Sequence, residues 1–313
     1  MKVAAICIGF FLAITVHAAE REVKQMFAVA SDCTVNVDLY RGKITVEEDD
    51  TPEVRVAVRM EAGADTEGEA DRLFRTLQLE IKAEGNTVSV RARNPAETGV
   101  RFVWNDRNQI DLTCKITVPR HCSADLRTLA GAITVGRLTG RVVARTETGN
   151  IYIRGIDGSI DANTQFGSVI VAHCTGPAVL KTLQGVIRAG TLGGRATLRN
   201  ATGDIEVLSA CAGVTVYAEA GDARVGFPRN FTGDSDIRTA GGNIVTQIDP
   251  AANCVVKASS VWGHVQDKLP LFVESGGNGK SKFAGRLNQG GPVLTLHANG
   301  GHVSIIPGET AFD

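Results

Sequence analysis

A glycine recurs every nine residues through the middle of this chain, and each glycine is followed by alternating aliphatic and polar residues. The segment TETGNIYI at 146–153 is one copy. Similarity at a fixed period indicates a repeat architecture, because each repeat packs against the next. The glycine position holds Gly131, Gly140, Gly149, Gly158, Gly167, Gly176, Gly185, Gly194, Gly203 and Gly221, with Ala212 in the one gap.

The positions two and four residues after each glycine are mostly aliphatic. Strict alternation between apolar and polar residues predicts a strand with one buried face. Each nine-residue unit is therefore one short strand and one turn, in which glycine adopts backbone angles that other residues resist. After every second glycine, the first aliphatic position holds Ile133, Ile151, Val169, Ile187, Ile205 and Ala223.

The full repeat is eighteen residues long, because a polar column recurs only at every second glycine. Three residues before those glycines stand Thr128, Thr146, Thr164, Thr182 and Asn200. We interpret the column as an inward, hydrogen-bonded stack, which two strands and two turns per coil would align at about 4.8 Å. Neither an antiparallel meander nor a left-handed hexapeptide helix fits this spacing. The predicted fold is all-β, a parallel β-solenoid with 18-residue coils, right-handed because parallel crossovers almost always are.

The flanking regions are predicted to cover the open ends of the solenoid, since exposed sheet edges invite aggregation. Residues 19–127 indicate β-structure continuous with the solenoid, with one short capping helix near 67–77, where Ala70, Leu73 and Phe74 have helical spacing. Residues 128–227 are the regular coils. Residues 228–313 are predicted to hold irregular coils and a tail.

Residues 1–18 predict a secretory signal peptide, because an apolar run follows Lys2 and small residues precede a cleavage site after Ala18. The run is shorter than the roughly 20 apolar residues of a membrane span, and no transmembrane segment is predicted after cleavage. The mature chain is expected in the periplasm, at the cell surface or secreted. The mature chain has six cysteines, with neither a CxxC pair nor a metal-finger spacing: Cys33, Cys114, Cys122, Cys174, Cys211 and Cys254. Disulfide bonds and free thiols are therefore both compatible with the sequence.

Several units carry a family resemblance. These are TETGNIYIRGIDGSIDAN, NATGDIEVLSA, YRGKITVE, ITVPRHCSADLRTLAGAITV and LTLHANGGHVSI. Together they resemble the bacterial "putative adhesin" family of β-strand-repeat proteins, adhesin domains of unknown function. The resemblance covers nearly the whole mature chain. It implies an exported or envelope-associated β-helical protein without a known reaction, and it supplies no binding residue.

The regular coils are basic, with 8 basic and 3 acidic residues between positions 128 and 199. Arg145, Asn163, Lys181 and Arg199 fall eighteen residues apart in one column, so Arg145, Lys181 and Arg199 are the candidate binding residues for an anionic polymer. A solvated face is the plain alternative. The expected partners are a cell-surface glycan, an anionic polymer or an envelope protein, with no specific nucleic acid, no cofactor and an open oligomeric state.

Enzymatic and metal-binding alternatives have weaker signals. A carbohydrate-active enzyme, a polysaccharide lyase or hydrolase on a β-helix, needs paired carboxylates, but Asp157 and Asp161 do not gather beside the basic column. Calcium-binding rolls also use nine-residue repeats, but only Asp204 and Asp222 stack after the glycine. The segment ESGGNGKS lacks the first glycine of a phosphate loop. The sequence therefore predicts no metal site and a non-enzymatic, adhesin-like interaction or structural protein of the cell envelope.

Overall fold

A computed structural model describes residues 14–17, 19–95 and 109–308 of the chain. These residues form β-strands and one α-helix and divide into two compact units, Met1–Gly149 and Asn150–Asp313. The predicted signal peptide lies outside the described residues except for one strand, Ile14–His17. No helix in the described ranges is long and apolar enough to cross a membrane.

The described residues of the first unit form eleven strands and the helix. Their bounds are β1 Ile14–His17, β2 Glu20–Ala28, β3 Cys33–Leu39, β4 Lys43–Asp49, β5 Glu53–Ala62, α1 Glu67–Thr76, β6 Gln78–Glu84, β7 Thr87–Arg93, β8 Ile110–Pro119, β9 Cys122–Ala130, β10 Ile133–Thr139 and β11 Val142–Thr148. One sheet has the order β1-β2-β5-β8-β4-β10, and the other has the order β11-β9-β3-β7-β6. Strand β3 therefore lies between β9 and β7, although five strands separate it from β9 in sequence.

Helix α1 begins where the sequence provides a cap. Thr66 has an extended backbone, and its hydroxyl accepts a hydrogen bond from the amide of Glu69, which satisfies one of the free amides of the first turn. Ala70 and Phe74 are buried, as their spacing predicted. The guanidinium of Arg21 lies 4.6 Å from the centre of the Phe74 ring. The helix thus joins β5 of one sheet to β6 at the margin of the other.

The second unit has seventeen strands between residues 150 and 308, the part of it that the structure describes. Their bounds are β12 Ile151–Asp157, β13 Ile160–Phe166, β14 Val169–Cys174, β15 Ala178–Gln184, β16 Ile187–Leu192, β17 Ala196–Thr202, β18 Ile205–Ala210, β19 Val214–Ala220, β20 Ala223–Phe227, β21 Ser235–Thr239, β22 Ile244–Ile248, β23 Cys254–Ser260, β24 Val265–Asp267, β25 Phe272–Gly276, β26 Lys282–Leu287, β27 Val293–Ala298 and β28 Val303–Pro307. Sheet I has the order β12-β14-β16-β18-β20-β22-β28-β24, and sheet II has the order β13-β15-β17-β19-β21-β27-β23-β26-β25.

Consecutive strands of the chain alternate between sheets I and II from β12 to β22, and neighbours within each sheet are parallel. Paired residues are eighteen positions apart at Ile151↔Val169 and Ile187↔Ile205. An insertion widens the step at Ala223↔Ile244. The fold is therefore all-β with two large, mostly parallel sheets, as a solenoid-like architecture requires.

The last strands depart from sequence order. Strand β27 lies between β21 and β23, and β28 lies between β22 and β24. The chain thus builds β23 and β24 first, turns back through the antiparallel hairpin β25–β26, and only then forms the strands that separate them from β21 and β22. Sequence spacing alone predicted irregular coils here but not this order.

The core consists of the aliphatic positions that alternate along the strands. The predicted inward residues Ile133, Ile151, Val169, Ile187, Ile205 and Ala223 are all 0% exposed. Such burial contributes roughly 25 cal/mol for each Å² of apolar surface removed from water. A slip of one residue would turn these side chains to the outer face, so the cores can form only if every strand keeps its register.

The polar column points inward and is hydrogen-bonded, which confirms the interpretation of that column. The hydroxyl of Thr182 donates to the carbonyl of Gly167 at 2.8 Å, and Thr146 donates to Gly131 at 3.1 Å. Asn200 donates its amide to Gly185 at 2.7 Å, but its buried side-chain oxygen has no partner among the described residues. These bonds join the strand end of one layer to the glycine turn of another and oppose slippage between layers.

Candidate functional site

The outer face of sheet II in the second unit carries one row of polar side chains. Successive members are register partners on neighbouring strands. We call these residues the outer row: Asn163, Lys181, Arg199, Tyr217, Arg238, His297, Ser259 and Lys282. Neighbouring strands lie about 4.8 Å apart, so the eight side chains span roughly 34 Å. The row is long enough to contact one extended ligand along its whole length.

The alternation of the strands places this row outside. On β15 and β17 the flanking residues Leu180, Thr182 and Leu198 are buried, whereas Lys181 and Arg199 are exposed. Neither Lys181 nor Arg199 forms an ion pair with another described residue. They are direct register neighbours, so two unneutralised positive charges lie side by side.

The remaining members of the outer row differ in charge. The guanidinium of Arg238 makes two hydrogen bonds with Asp236 on its own strand, at 2.9 and 2.7 Å, and this contact raises the pKa of Arg238. Tyr217 separates Arg199 from Arg238 and is 37% exposed. Between Asn163 and His297, the net positive charge of the outer row therefore comes from Lys181 and Arg199. The phenol ring of Tyr217 lies next to Arg199.

Arg145, the third predicted binding residue, lies on β11 in the first unit. Its register partner there is Arg127 on β9. The guanidinium of Arg127 is held by Asp125 at 3.0 and 2.9 Å, a contact that raises the pKa of Arg127. The structure thus places Lys181 and Arg199 together in one unit, and it places Arg145 beside a neutralised arginine in the other.

Sequence reasoning missed five members of the outer row: Tyr217, Arg238, His297, Ser259 and Lys282. Tyr217 stands eighteen residues after Arg199, so extending the same count would have found it. Arg238 follows Tyr217 by twenty-one residues, because of the insertion before β21. His297 pairs with Arg238 although fifty-nine residues separate them, because β27 returns beside β21. No fixed period contains the last two steps.

A second column, polar at every position except Val186, runs along the positions that directly follow the turn glycines. In the second unit its members are Asn150, Ser168, Val186, Asp204, Asp222, Asn243, His302 and His264. The Asn150 side chain accepts from the Ser168 amide at 2.8 Å, and the Asn243 side chain accepts from the His302 amide at 2.9 Å. At the far end the His264 amide donates to Nδ1 of His302 at 3.3 Å. This column satisfies the turn amides of successive layers.

Asp204 and Asp222 stack in this turn column, as the sequence predicted. Oδ1 of Asp204 accepts from the Asp222 amide at 2.9 Å, and Oδ1 of Asp222 accepts from the Asn243 amide at 2.8 Å. One oxygen of each carboxylate thus accepts a hydrogen bond from a backbone amide of the next layer. Within the described ranges, no cluster of three or more His, Cys, Asp or Glu side chains has the arrangement of a metal site.

Of the two candidate catalytic carboxylates, one lies apart from the outer row and the other lies beside it. Asp157 ends β12 on sheet I. Asp161 lies on β13, two residues before Asn163 on the same outward face, and its register partner is Val179. Arg188 on sheet I contacts Glu206 at 3.6 Å. Ser259 and Nδ1 of His297 are 2.8 Å apart, a contact of the kind that activates a hydroxyl nucleophile. Both residues are half-buried on a sheet face and continue the outer row.

The glycine-rich segment ESGGNGKS forms a hairpin turn. Gly276 pairs with Phe283 across the antiparallel strands β25 and β26, and Gly279 follows in the turn with a φ of 78°. A phosphate loop would join a strand to a helix. The segment is therefore a glycine turn between two antiparallel strands and does not have the strand-to-helix geometry of a phosphate loop.

Comparison with known proteins gives structural neighbours only. No protein-family model matches the chain, and no curated protein sequence matches it. A "putative adhesin" from Bacteroides fragilis is similar at 12% identity, over 91% of this chain and 97% of that one, with a TM-score of 0.45. A "putative adhesin" from Parabacteroides merdae is similar at 10% identity, over 91% and 96%, with a TM-score of 0.47.

A third solved structure carries a different name. It is a "putative lipid binding protein" from Parabacteroides distasonis, 12% identical over 91% of this chain and 96% of that one, with a TM-score of 0.45. The two adhesin names match the family that the repeat units resemble. At these identities none of the three names assigns a ligand or a binding residue to this chain.

Proposed function

We propose that this chain is a non-enzymatic, adhesin-like interaction protein of the cell envelope, and that its outer row binds an anionic polymer such as a cell-surface glycan. One observation carries the proposal. Lys181 and Arg199 are exposed register neighbours, and no described residue forms an ion pair with either of them. In this proposal the scaffold is a right-handed β-solenoid with 18-residue coils.

A straight row of side chains suits a polymer better than a small molecule. Each strand contributes one position about 4.8 Å from the next, and a chain with charges at regular intervals can meet several positions at once. Linked contacts of this kind raise the overall affinity without requiring any single strong contact. Tyr217 adds an amphipathic ring beside the two charges, which offers a flat apolar face and a polar edge.

The proposed location agrees with the sequence. The apolar run and the small residues before position 19 predict export, and the repeat units resemble an envelope-associated family. An exported protein would meet anionic glycans at the cell surface. Because exposed charges act over about 8 Å at physiological ionic strength, binding along the outer row would weaken as salt rises.

The test is retention on a sulfated-polysaccharide column of the heparin type. We expect the double variant Lys181→Ser/Arg199→Ser to elute at lower salt, with an affinity about 2- to 30-fold weaker, since each exposed ion pair contributes roughly 0.2–1 kcal/mol. The matched control is Arg154→Ser/Arg224→Ser, which removes the same charge from exposed positions on sheet I. Equal retention of both double variants and the parent chain would overturn the proposal.

Two further readouts separate the alternatives. The Lys181→Ser/Arg199→Ser variant should melt within about 2 °C of the parent, because surface substitutions usually change stability by less than 0.5 kcal/mol. The eluted polysaccharide is then analysed for new chain ends. Shortened polymer would support the carbohydrate-active enzyme instead, and intact polymer supports a binding protein.

A further inference from the structure

Two cysteines of the first unit lie directly beside each other. Cys33 is the first residue of β3, Cys122 is the first residue of β9, and the two are register partners in a parallel pair. Their exposed fractions are 0% and 1%. Val35 and Ala124, the next residues on the same faces, are also partners and are buried. Both cysteine side chains therefore enter the same interior.

The separation of the two strands suits a disulfide bond. Paired residues of neighbouring strands lie about 4.8 Å apart, and disulfides usually join residues whose Cα atoms are about 4.4–6.8 Å apart. We propose that Cys33 and Cys122 form a disulfide bond in the oxidised protein. Among the six described cysteines, no other two are register partners.

The two thiols also differ in their pKa values. The Cys122 thiol donates to the carbonyl of Ser123 at 3.4 Å. The neighbouring Cys122 lowers the pKa of Cys33, and the neighbouring Cys33, together with burial, raises the pKa of Cys122. The thiolate is the reactive form of cysteine, and Cys33 has the lower pKa of the two residues. Burial alone raises the pKa of Cys114 to about 12 and that of Cys254 to about 11.

The bond forms by exchange with a disulfide donor such as oxidised glutathione. The Cys33 thiolate attacks one sulfur of the donor and releases one glutathione thiolate, which leaves a mixed disulfide. The Cys122 thiolate then attacks the Cys33 sulfur and releases the second glutathione. The two cysteines lose two electrons, the donor gains two, and the two thiol protons pass to the released thiolates. The exporting compartment predicted by the sequence is one where such donors persist.

The bridge would fix the part of the fold that departs from sequence order. Strand β3 pairs with β7 on one side and with β9 on the other, so the chain leaves β3 at Leu39 and returns beside it first in β7 and then, from Cys122, in β9. A covalent bond between Cys33 and Cys122 closes a loop that contains α1 and the strands β3 to β8. Closure of a long loop removes much of the freedom of the unfolded chain.

The direct test is disulfide mapping of the full chain. The protein is refolded with oxidised and reduced glutathione, free thiols are alkylated, and the digest is analysed by mass spectrometry without reduction. We expect one linked peptide pair containing Cys33 and Cys122. Alkylated Cys33 and Cys122 in the refolded protein, or linkage of either one to a different cysteine, would overturn the proposal.

A thermal measurement tests the same disulfide bond without depending on how many linked peptides are recovered. Dithiothreitol should lower the melting temperature of the first unit in the parent chain by on the order of 10 °C. The variant Cys33→Ser/Cys122→Ser should melt at the same temperature with and without the reductant. Cys211→Ser, at a half-buried position of the second unit, is the control and should retain the full shift. A parent chain whose melting is insensitive to the reductant contradicts the bridge.

Discussion

Replacement of Gly131, one of the regularly spaced turn glycines, by alanine should severely destabilise the first unit. Gly131 has a φ of +147°, and its amide donates to the carbonyl of Thr148 at 2.8 Å. A Cβ atom added there would come closer than 3.0 Å to the carbonyl oxygen of Gly42, a separation that real Cβ atoms essentially never show. The obstructing atom belongs to the backbone of an adjacent layer, so no side-chain rotation can relieve the overlap.

The size of the effect follows from two contributions. A non-glycine residue in such a sparsely populated region costs about 1–3 kcal/mol. Overpacking against backbone costs a further 1–3 kcal/mol or so, because strands of neighbouring layers must move apart. We therefore expect Gly131→Ala to lower the free energy of unfolding by about 2–6 kcal/mol.

Two glycines of the same unit provide matched controls. Gly85 has a φ of +61°, but nothing lies within 4 Å of the position of an added Cβ, so Gly85→Ala should cost only the left-handed conformation, about 1–2 kcal/mol. Gly68 lies in α1 and also has open space. Gly68→Ala should leave stability unchanged or raise it by up to about 1 kcal/mol, because alanine favours helix.

The assay is urea unfolding followed by circular dichroism, with the free energy of unfolding extrapolated to water. The expected order of stability is Gly68→Ala, then Gly85→Ala, then Gly131→Ala. If Gly131→Ala were as stable as Gly85→Ala, the close approach of the layers at the glycine turn would be wrong. The stacked arrangement of those layers would then be wrong as well.

Three other substitutions test the interior of the second unit by the same urea assay. Ile205→Asp should prevent folding of this unit, because it buries an unpaired charge at a fully buried position; native-like circular dichroism would contradict the inward assignment. Thr182→Val should cost about 1 kcal/mol by removing the bond to Gly167, whereas Thr197→Val on the outer face should be nearly neutral. Asn200→Thr should stabilise by about 1 kcal/mol, since it removes a buried oxygen without a described partner; destabilisation would count against the inward polar column.

The regular part of the fold could be predicted because its register repeats in the sequence. Ile187 and Ile205 are partners in the structure and stand eighteen residues apart in the chain. The inward direction of Thr182 followed from the same count, and its bond to Gly167 shows why a hydroxyl recurs at that position. Side chains that contact the next layer in every coil recur at a fixed spacing in the sequence, so their positions can be counted.

The candidate site was only partly predictable. Lys181 and Arg199 share a row because their spacing equals one full repeat, and the structure makes them neighbours. Arg238 and His297 join the same row through an insertion and a returning strand, so no count from Arg199 reaches them. The adjacency of Cys33 and Cys122 depends in the same way on a layer that the chain leaves and re-enters.

The sequence by itself determined the strands, their buried faces and the parallel step of the regular layers, because local alternation and a fixed period encode these features. The tertiary structure alone decided which distant segments share a layer, since β3 and β27 are placed by the strands they pair with rather than by their position in the chain. Pairing of this kind depends on long-range hydrogen bonds and common burial, and neither leaves a period in the sequence.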